Sequence, residues 1–147
     1  MRYSEGRIGR VFVVRLEDGE KLPGAIEAFA EGQGVARGMC IVVGGIDDGG
    51  RIVVGPEDGE GLPVVPMLIG LRGVHEILGV GTLFPDGQNK PRLHMHASLG
   101  RGEDARTGCI RPGLETWKVG EVILLEIVGN SGRRVKDDAT GFELLEP

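Results

Sequence analysis

The chain has 147 residues, a length typical of one domain, and its 40% hydrophobic and 27% charged residues are ordinary for a globular protein. Its 27 glycines follow no fixed period, which excludes a collagen-like chain. The longest apolar runs have about five residues, whereas a membrane-spanning helix needs ~20. The formal net charge of −5 argues against strong nonspecific binding to nucleic acid.

The N-terminus lacks the apolar stretch after a basic start that marks a signal peptide, so we expect a cytoplasmic protein with no membrane segment. In that reducing compartment the two cysteines, Cys40 and Cys109, are expected to be free thiols. Cys40 lies inside an apolar run, where it is expected to be a small buried residue.

The first third of the chain predicts strands on either side of a single helix. Arg7–Leu16 has the alternation of a strand, and Leu22–Glu31 is the one convincing helix because its apolar residues recur at helical spacing. Gly38–Ile46 is a continuous apolar strand. Arg51–Val54 follows a glycine-rich turn and is predicted to pair with that strand as a hairpin.

The remaining two thirds predict short strands between turns. The strand segments are Val64–Leu71, Val74–Phe84, Pro91–Leu99, Gly108–Arg111 and Glu121–Val128, with Gly141–Leu145 as an added edge. Gly100–Thr107 is predicted to be a charged loop, and Arg133–Lys136 a solvated turn. One helix with seven or eight strands indicates an α+β fold: a single domain, residues 1–147, with a largely antiparallel, barrel-like sheet.

The strand Pro91–Leu99 carries two histidines, His94 and His96, in a His-x-His pattern. Residues two apart on a strand point to the same face of the sheet. Both imidazoles therefore project from one face, while Leu93, Met95 and Ala97 point from the other face into the core. Their Cβ atoms are then roughly 7 Å apart. Two imidazoles at that separation can bind one metal ion, with nitrogen–metal distances near ~2.1 Å.

Two ligands bind a metal weakly, so a third is needed, and Cys109 is the leading candidate. If the hairpin after the histidine strand is symmetric, His96 faces Cys109 and His94 faces Arg111. A thiolate beside two imidazoles is a good zinc set with an open fourth position for water. His75, the third histidine of the chain, is the competing ligand.

Two carboxylates, Glu76 and Glu115, are further candidates to lie near this site. The alternative to a metal site is a pair of half-buried histidines that form hydrogen bonds with their neighbours. The chain has no dinucleotide-binding glycine motif, phosphate loop or nucleophile elbow, so no motif identifies a small-molecule substrate.

Five features together resemble the plants and prokaryotes conserved domain, or PPC domain. They are the helix Leu22–Glu31 after the first strand, the glycine-bounded strand Gly38–Ile46, the Glu-Ile-Leu strand Val74–Thr82, the Leu-His-x-His-x-Ser-Leu strand Leu93–Leu99 and the late strand Glu121–Leu124. The resemblance implies a fold shared with acetolactate decarboxylase-like proteins and a homotrimer. It also implies that His94 and His96 are metal ligands, with Cys109 where the family usually has a histidine.

The DNA-binding name of that family comes chiefly from plant members with added AT-hooks, and no such segment exists in this chain. Arg101-Gly102-Glu103 has an acidic residue where a hook needs arginine. We therefore expect a zinc-binding PPC-type domain that binds DNA weakly. Two alternatives are a zinc-dependent enzyme for a small carbonyl substrate, with Glu76 or Glu115 as general base, and a purely structural trimer.

Overall fold

Most of the chain forms one large antiparallel sheet, with a single helix against its inner face. The computed structural model describes all 147 residues. In chain order the elements are β1 (Arg7–Glu17), β2 (Lys21–Leu22), α1 (Gly24–Gly32), β3 (Gly38–Ile46), β4 (Arg51–Pro56), β5 (Pro66–Gly70), β6 (His75–Pro85), β7 (Pro91–Arg101), β8 (Asp104–Cys109), β9 (Leu114–Val128), β10 (Arg133–Lys136) and β11 (Glu143–Glu146). The single helix is too short and not apolar enough to cross a membrane.

The strands of the main sheet run in the order β1-β9-β3-β6-β7-β8-β4-β5, and every pairing is antiparallel. The short strand β2 pairs with the start of β9, and β10 and β11 form a separate hairpin. The prediction of a largely antiparallel sheet with one main helix is therefore confirmed. Barrel closure is not seen, because β1 and β5 lie at the two ends of the strand order.

The predicted hairpin of β3 with β4 is wrong. β3 pairs with β6 and β9, whereas β4 pairs with β5 and β8. The intervening turn does not reverse the chain within the sheet because its backbone amides bond to other segments: Asp47 N–H donates to the carbonyl of Glu115, and Gly49 N–H to that of Leu71.

Other boundaries also differ from the prediction, the largest shift being that β9 begins at Leu114 rather than Glu121. The helix begins at Gly24 rather than Leu22, because Leu22 pairs with Leu114 in the sheet. The segment Gly100–Thr107 is not a loop: β7 continues to Arg101 and β8 begins at Asp104, with Gly102 in the tight turn at φ 61°. Gly141–Leu145 does not add an edge to the main sheet, since β11 pairs only with β10.

One cluster of 20 buried residues forms the core. The helix packs against β1 and β9, with Ile26 and Ala30 buried and the ring of Phe29 edge-to-face with Phe12, 5.5 Å between centroids. Full burial of a side chain as large as that of Ile26 stabilises the fold by about 1.5–3 kcal/mol. Because successive side chains of a strand point to opposite faces, the residues between the core residues lie on the outer face of the sheet.

The side chains on the inner face of β7 hold this strand against the core. Leu93, Met95 and Ala97 are buried, as predicted. Met95 lies over Gly81 of β6, where an added Cβ would be 2.8 Å from the Met95 Cβ and 2.9 Å from a Leu93 methyl carbon. Glycine at position 81 thus allows a large side chain to pack directly beneath the histidine strand.

Candidate metal site

His94 and His96 lie on the outer face of β7, both exposed, as the alternation of the strand predicted. In the register with β6, His94 is opposite Thr82 and His96 is opposite Val80. On the other side of β7, His96 is opposite Cys109, the last residue of β8, which confirms the pairing expected from a symmetric hairpin. Three nitrogen or sulfur donors are therefore brought to one place by two adjacent strands.

The distances among these donors fit a single ion. The Nε2 atoms of His94 and His96 are 3.2 Å apart, and the three ligand atoms, including the Cys109 Sγ, all lie within 4.8 Å of one another. Two nitrogens bound tetrahedrally to zinc at ~2.1 Å are about 3.4 Å apart. The imidazole pair already has this spacing, and the thiol needs only a small movement to complete the set.

The surroundings favour the neutral imidazoles that bind metal. Burial lowers the pKa of His94, and the positive charges of Arg134 and Arg111 lower it further. The pKa of His96 is also lowered, by burial first and then by His94 and Arg111. Protons therefore compete less with a metal ion here than at an ordinary histidine.

His94 and Cys109 open onto a cavity of about 700 Å³. Its wall also carries three arginines and two glutamates: Arg92, Arg111, Arg134, Glu27 and Glu143. The Arg111 Nη2 lies 3.9 Å from the Cys109 Sγ. A volume of this size is typical of sites for small molecules, which occupy roughly 300–1,000 Å³.

Glu27 of the helix lies on this wall, although no sequence motif identifies it as a site residue. One of its oxygens accepts a hydrogen bond from the backbone N–H of Leu93, at 2.9 Å, and the other lies 3.4 Å from Arg92. The N–H of Leu93 is available because β8 pairs with β7 only from His96 onward. Glu27 thus joins the helix to the strand that carries both histidines.

The structure does not bring His75, Glu76 or Glu115 to the site. His75 is buried on β6, five positions before Val80, the residue opposite His96. Five strand residues span roughly 17 Å, which is too far for a shared ion. The His75 Nδ1 lies 2.8 Å from the Gly73 carbonyl oxygen. Glu76 is one residue closer on the same strand, and Glu115 pairs with Lys21 without lining the cavity. The expectation that these groups approach the metal ligands is wrong.

The prediction of a solvated turn at Arg133–Lys136 is also wrong. The segment is strand β10, and Arg134 is only 7% exposed. Sequence patterns could not identify it, because here the charged Arg134 is buried while its apolar neighbour Val135 is exposed, the reverse of an ordinary strand.

A protein-family model described as the Plants and Prokaryotes Conserved (PCC) domain matches residues 3–128. Among solved structures, a metal-containing protein from Archaeoglobus fulgidus is 24% identical, with 100% of both chains covered and a TM-score of 0.86. A plant- and prokaryote-conserved protein from Pyrococcus horikoshii is 24% identical over 98% of this chain and 99% of that one, with a TM-score of 0.81.

A third similar structure, from Bacteroides thetaiotaomicron, is 17% identical over 96% of each chain, with a TM-score of 0.75, and is described as a candidate DNA-binding protein. A search of the curated proteins finds no match. The structural similarities establish the shared fold, and the family model covers most of the sequence. This chain belongs to the Plants and Prokaryotes Conserved domain family.

Proposed function

We propose that this protein is a metal-binding domain in which His94, His96 and Cys109 hold one divalent ion, zinc. The observation that carries the proposal is the convergence of three nitrogen and sulfur donors within 4.8 Å on adjacent strands. Two imidazoles and a thiolate are preferred zinc ligands, and sulfur disfavours magnesium and calcium. The metal-containing relative from Archaeoglobus fulgidus, with the same fold, supports the assignment.

The metal content of the purified protein tests this proposal. We expect one zinc per chain by elemental analysis, and no bound zinc in the double variant His94→Ala/His96→Ala. His75→Gln is the matched control, because this histidine lies outside the cluster and glutamine can keep a hydrogen bond to Gly73. Equal zinc content in the double variant and the wild type would rule out the site.

A catalytic role is the second candidate, and the cavity beside His94 and Cys109 favours it. Zinc with three protein ligands can polarise a carbonyl group or lower the pKa of a bound water. Glu27 and Glu143, rather than Glu76 or Glu115, are the carboxylates that line this cavity. A crystal structure of the zinc-loaded protein discriminates the roles, since a fourth protein ligand indicates a structural site and a water in the cavity indicates an open one.

We further propose that the protein assembles as a homotrimer through the outer face of the sheet. Four exposed apolar residues form a row across the strands β1, β9, β3 and β6, each directly opposite the next: Val13, Ile123, Ile41 and Val80. His96 on β7 continues this row. We call this line of residues the outer row. Val13 is 82% exposed, and a contiguous apolar surface of this kind is typical of an interface.

DNA binding is proposed to be weak. The relative from Bacteroides thetaiotaomicron is described as a candidate for it, but 22 acidic residues outnumber 17 basic ones in this chain. Two of the cavity arginines are also unsuited to phosphate-backbone contacts, because Arg92 is paired with Asp86 and Arg134 is buried. Affinity for DNA depends on basic side chains that neutralise phosphates, and few are arranged for it here.

A further inference from the structure

We propose that the cavity beside His94 binds a small organic anion, a carboxylate or a phosphate ester, through the guanidinium group of Arg134. This arginine comes from the β10–β11 hairpin, which lies beyond residues 3–128 that match the family model. The inference goes beyond the metal site and does not depend on it, because every group that carries it belongs to the protein.

Arg134 is a buried cation with no carboxylate in direct contact. It is only 7% exposed and forms no salt bridge with any carboxylate of the chain. Its Nη2 donates to the carbonyl oxygen and the hydroxyl of Thr82, at 3.2 and 3.3 Å, and both acceptors are neutral. An unpaired charge in such a place costs free energy, which a bound anion would offset.

The hydrogen-bonding capacity of this guanidinium is largely unused. The Nε atom is buried without a partner, and Nη1 makes no hydrogen bond within the protein. Burial lowers the pKa of Arg134, and the charges of Glu143, Cys109 and Glu27 oppose this only from a distance. Nη1 is therefore the donor that remains available to an oxygen of a carboxylate or phosphate, and a hydrogen bond to an ionised group is stronger than one to a neutral group.

Two other arginines of the chain are paired with buried carboxylates. Arg10 forms a bidentate contact with Glu126, at 2.8 Å from both nitrogens, and Arg92 donates from its Nε to Asp86 at 2.9 Å. Glu27, the helix carboxylate on the cavity wall, is already bonded to the Leu93 N–H. Glu143 lines the same cavity and acts on Arg134 through its charge, but no carboxylate of the chain forms a hydrogen bond or salt bridge with this guanidinium.

The rest of the wall indicates the chemical class of the ligand. Arg111 supplies a second positive charge beside Cys109, and Phe142 and Leu144 of the hairpin supply apolar surface. A small acid with a short apolar part meets both features, and the cavity volume of about 700 Å³ suits such a molecule. Duplex DNA is less suited, because the phosphates of a rigid duplex cannot enter far enough to reach a residue that is only 7% exposed.

Thermal unfolding with added anions tests the inference. Inorganic phosphate and propionate are titrated at constant ionic strength into metal-free protein, and propionate also into zinc-loaded protein. We expect a saturable rise of the midpoint temperature, several degrees at ~100 times the dissociation constant, with at least one anion. The anion that gives the larger shift at equal concentration shows whether the site prefers a phosphate or a carboxylate.

Two variants show whether the response to anions depends on Arg134 or on neighbouring residues. Arg134→Met should abolish the saturable shift, whereas Arg133→Met, at the exposed neighbouring position on the same strand, should keep it. His94→Ala/His96→Ala should lose zinc and still respond to the anion in its metal-free form, so this inference and the metal site can fail separately. An equal shift in Arg134→Met and wild type overturns the inference, and so does the absence of a saturable shift with both anions.

A crystallographic measurement keeps the inference testable if Arg134→Met does not fold. In wild-type crystals soaked with selenate, we expect an anomalous selenium peak within hydrogen-bond distance of Arg134 Nη1. Selenate bound only at exposed arginines, or a thermal response to short duplex DNA but to neither small anion, would contradict a small-anion site.

Discussion

His96 on β7 and Cys109 on β8 are directly opposite each other in an antiparallel register, so the imidazole and the thiol leave the sheet on the same side. Directly opposite residues have Cβ atoms about 4.5–5.5 Å apart, which is close enough for both side chains to bind one ion. The turn at Gly102 fixes this relationship, because inserting or deleting a single residue would shift the thiol to the opposite face of the sheet.

The first prediction concerns the thiol. Cys109→Ala removes one of three donors, and we expect zinc affinity to fall on the order of 100-fold or more, since two imidazoles alone bind weakly. Competition with a chromophoric chelator measures the change. Cys40→Ala is the control: this thiol is fully buried, with its pKa raised to about 12 by burial, and its loss should leave zinc affinity unaltered. Equal affinities in the Cys109 variant and wild type would exclude a sulfur ligand.

The second prediction concerns acid stability. The folded state lowers the pKa values of His94 and His96, whereas the unfolded chain protonates both near pH 6.5. The unfolded state therefore binds more protons below that pH, and the free energy of unfolding of the metal-free protein should decrease as pH falls from 6.5 toward 5. Urea unfolding at pH 7.5 and 5.5 measures this. His94→Gln should weaken the pH dependence, and an undiminished dependence in that variant would show that other groups cause it.

The third prediction concerns packing beneath the histidine strand. Gly81→Ala places a methyl group 2.8 Å from the Met95 Cβ, and we expect a loss of about 1–3 kcal/mol in the free energy of unfolding. Gly59→Ala, at a glycine with no atom within 4 Å of the added group, is the control and should change stability little. Urea titration compares the variants, and equal stabilities would show that the sheet adjusts without cost.

The fourth prediction concerns assembly. Light scattering of the wild type should give a mass three times 15.6 kDa. Ile41→Glu, in the middle of the outer row, should reduce the mass to that of one chain, because a desolvated carboxylate would face an apolar partner. Val135→Glu replaces a residue of matched exposure, 38% against 37%, on the separate hairpin and should leave the mass unaltered. A wild-type mass of 15.6 kDa would disprove the trimer.

The fifth prediction concerns DNA. Fluorescence anisotropy with a labelled duplex should show no submicromolar binding at ~150 mM salt, where the fields of exposed charges are screened beyond about 8 Å. Trimer formation cannot reverse the sign of the charge, since it multiplies the net charge of −5 by the number of copies. Submicromolar binding under these conditions would show that basic side chains are segregated on one face.

The metal cluster could be predicted because it depends on short-range rules. Alternation along one strand places His94 and His96 together, and hairpin symmetry adds Cys109. The pairing of β9 between β1 and β3 joins segments about a hundred residues apart, and nothing in their composition specifies that order. Arg134 and Glu27 were missed for the same reason, since only tertiary packing brings them to the cavity.

The three candidate ligands all belong to one hairpin, β7–β8, and span only the 16 positions from His94 to Cys109. A loop this short closes at a small entropic cost, and isolated hairpins form in about 1–10 μs. We therefore expect the donor cluster to assemble while the distant strands β1 and β9 are still unpaired. A metal ion present at that stage would stabilise the hairpin first, so that zinc added before refolding accelerates folding, whereas zinc added afterwards affects only the unfolding rate.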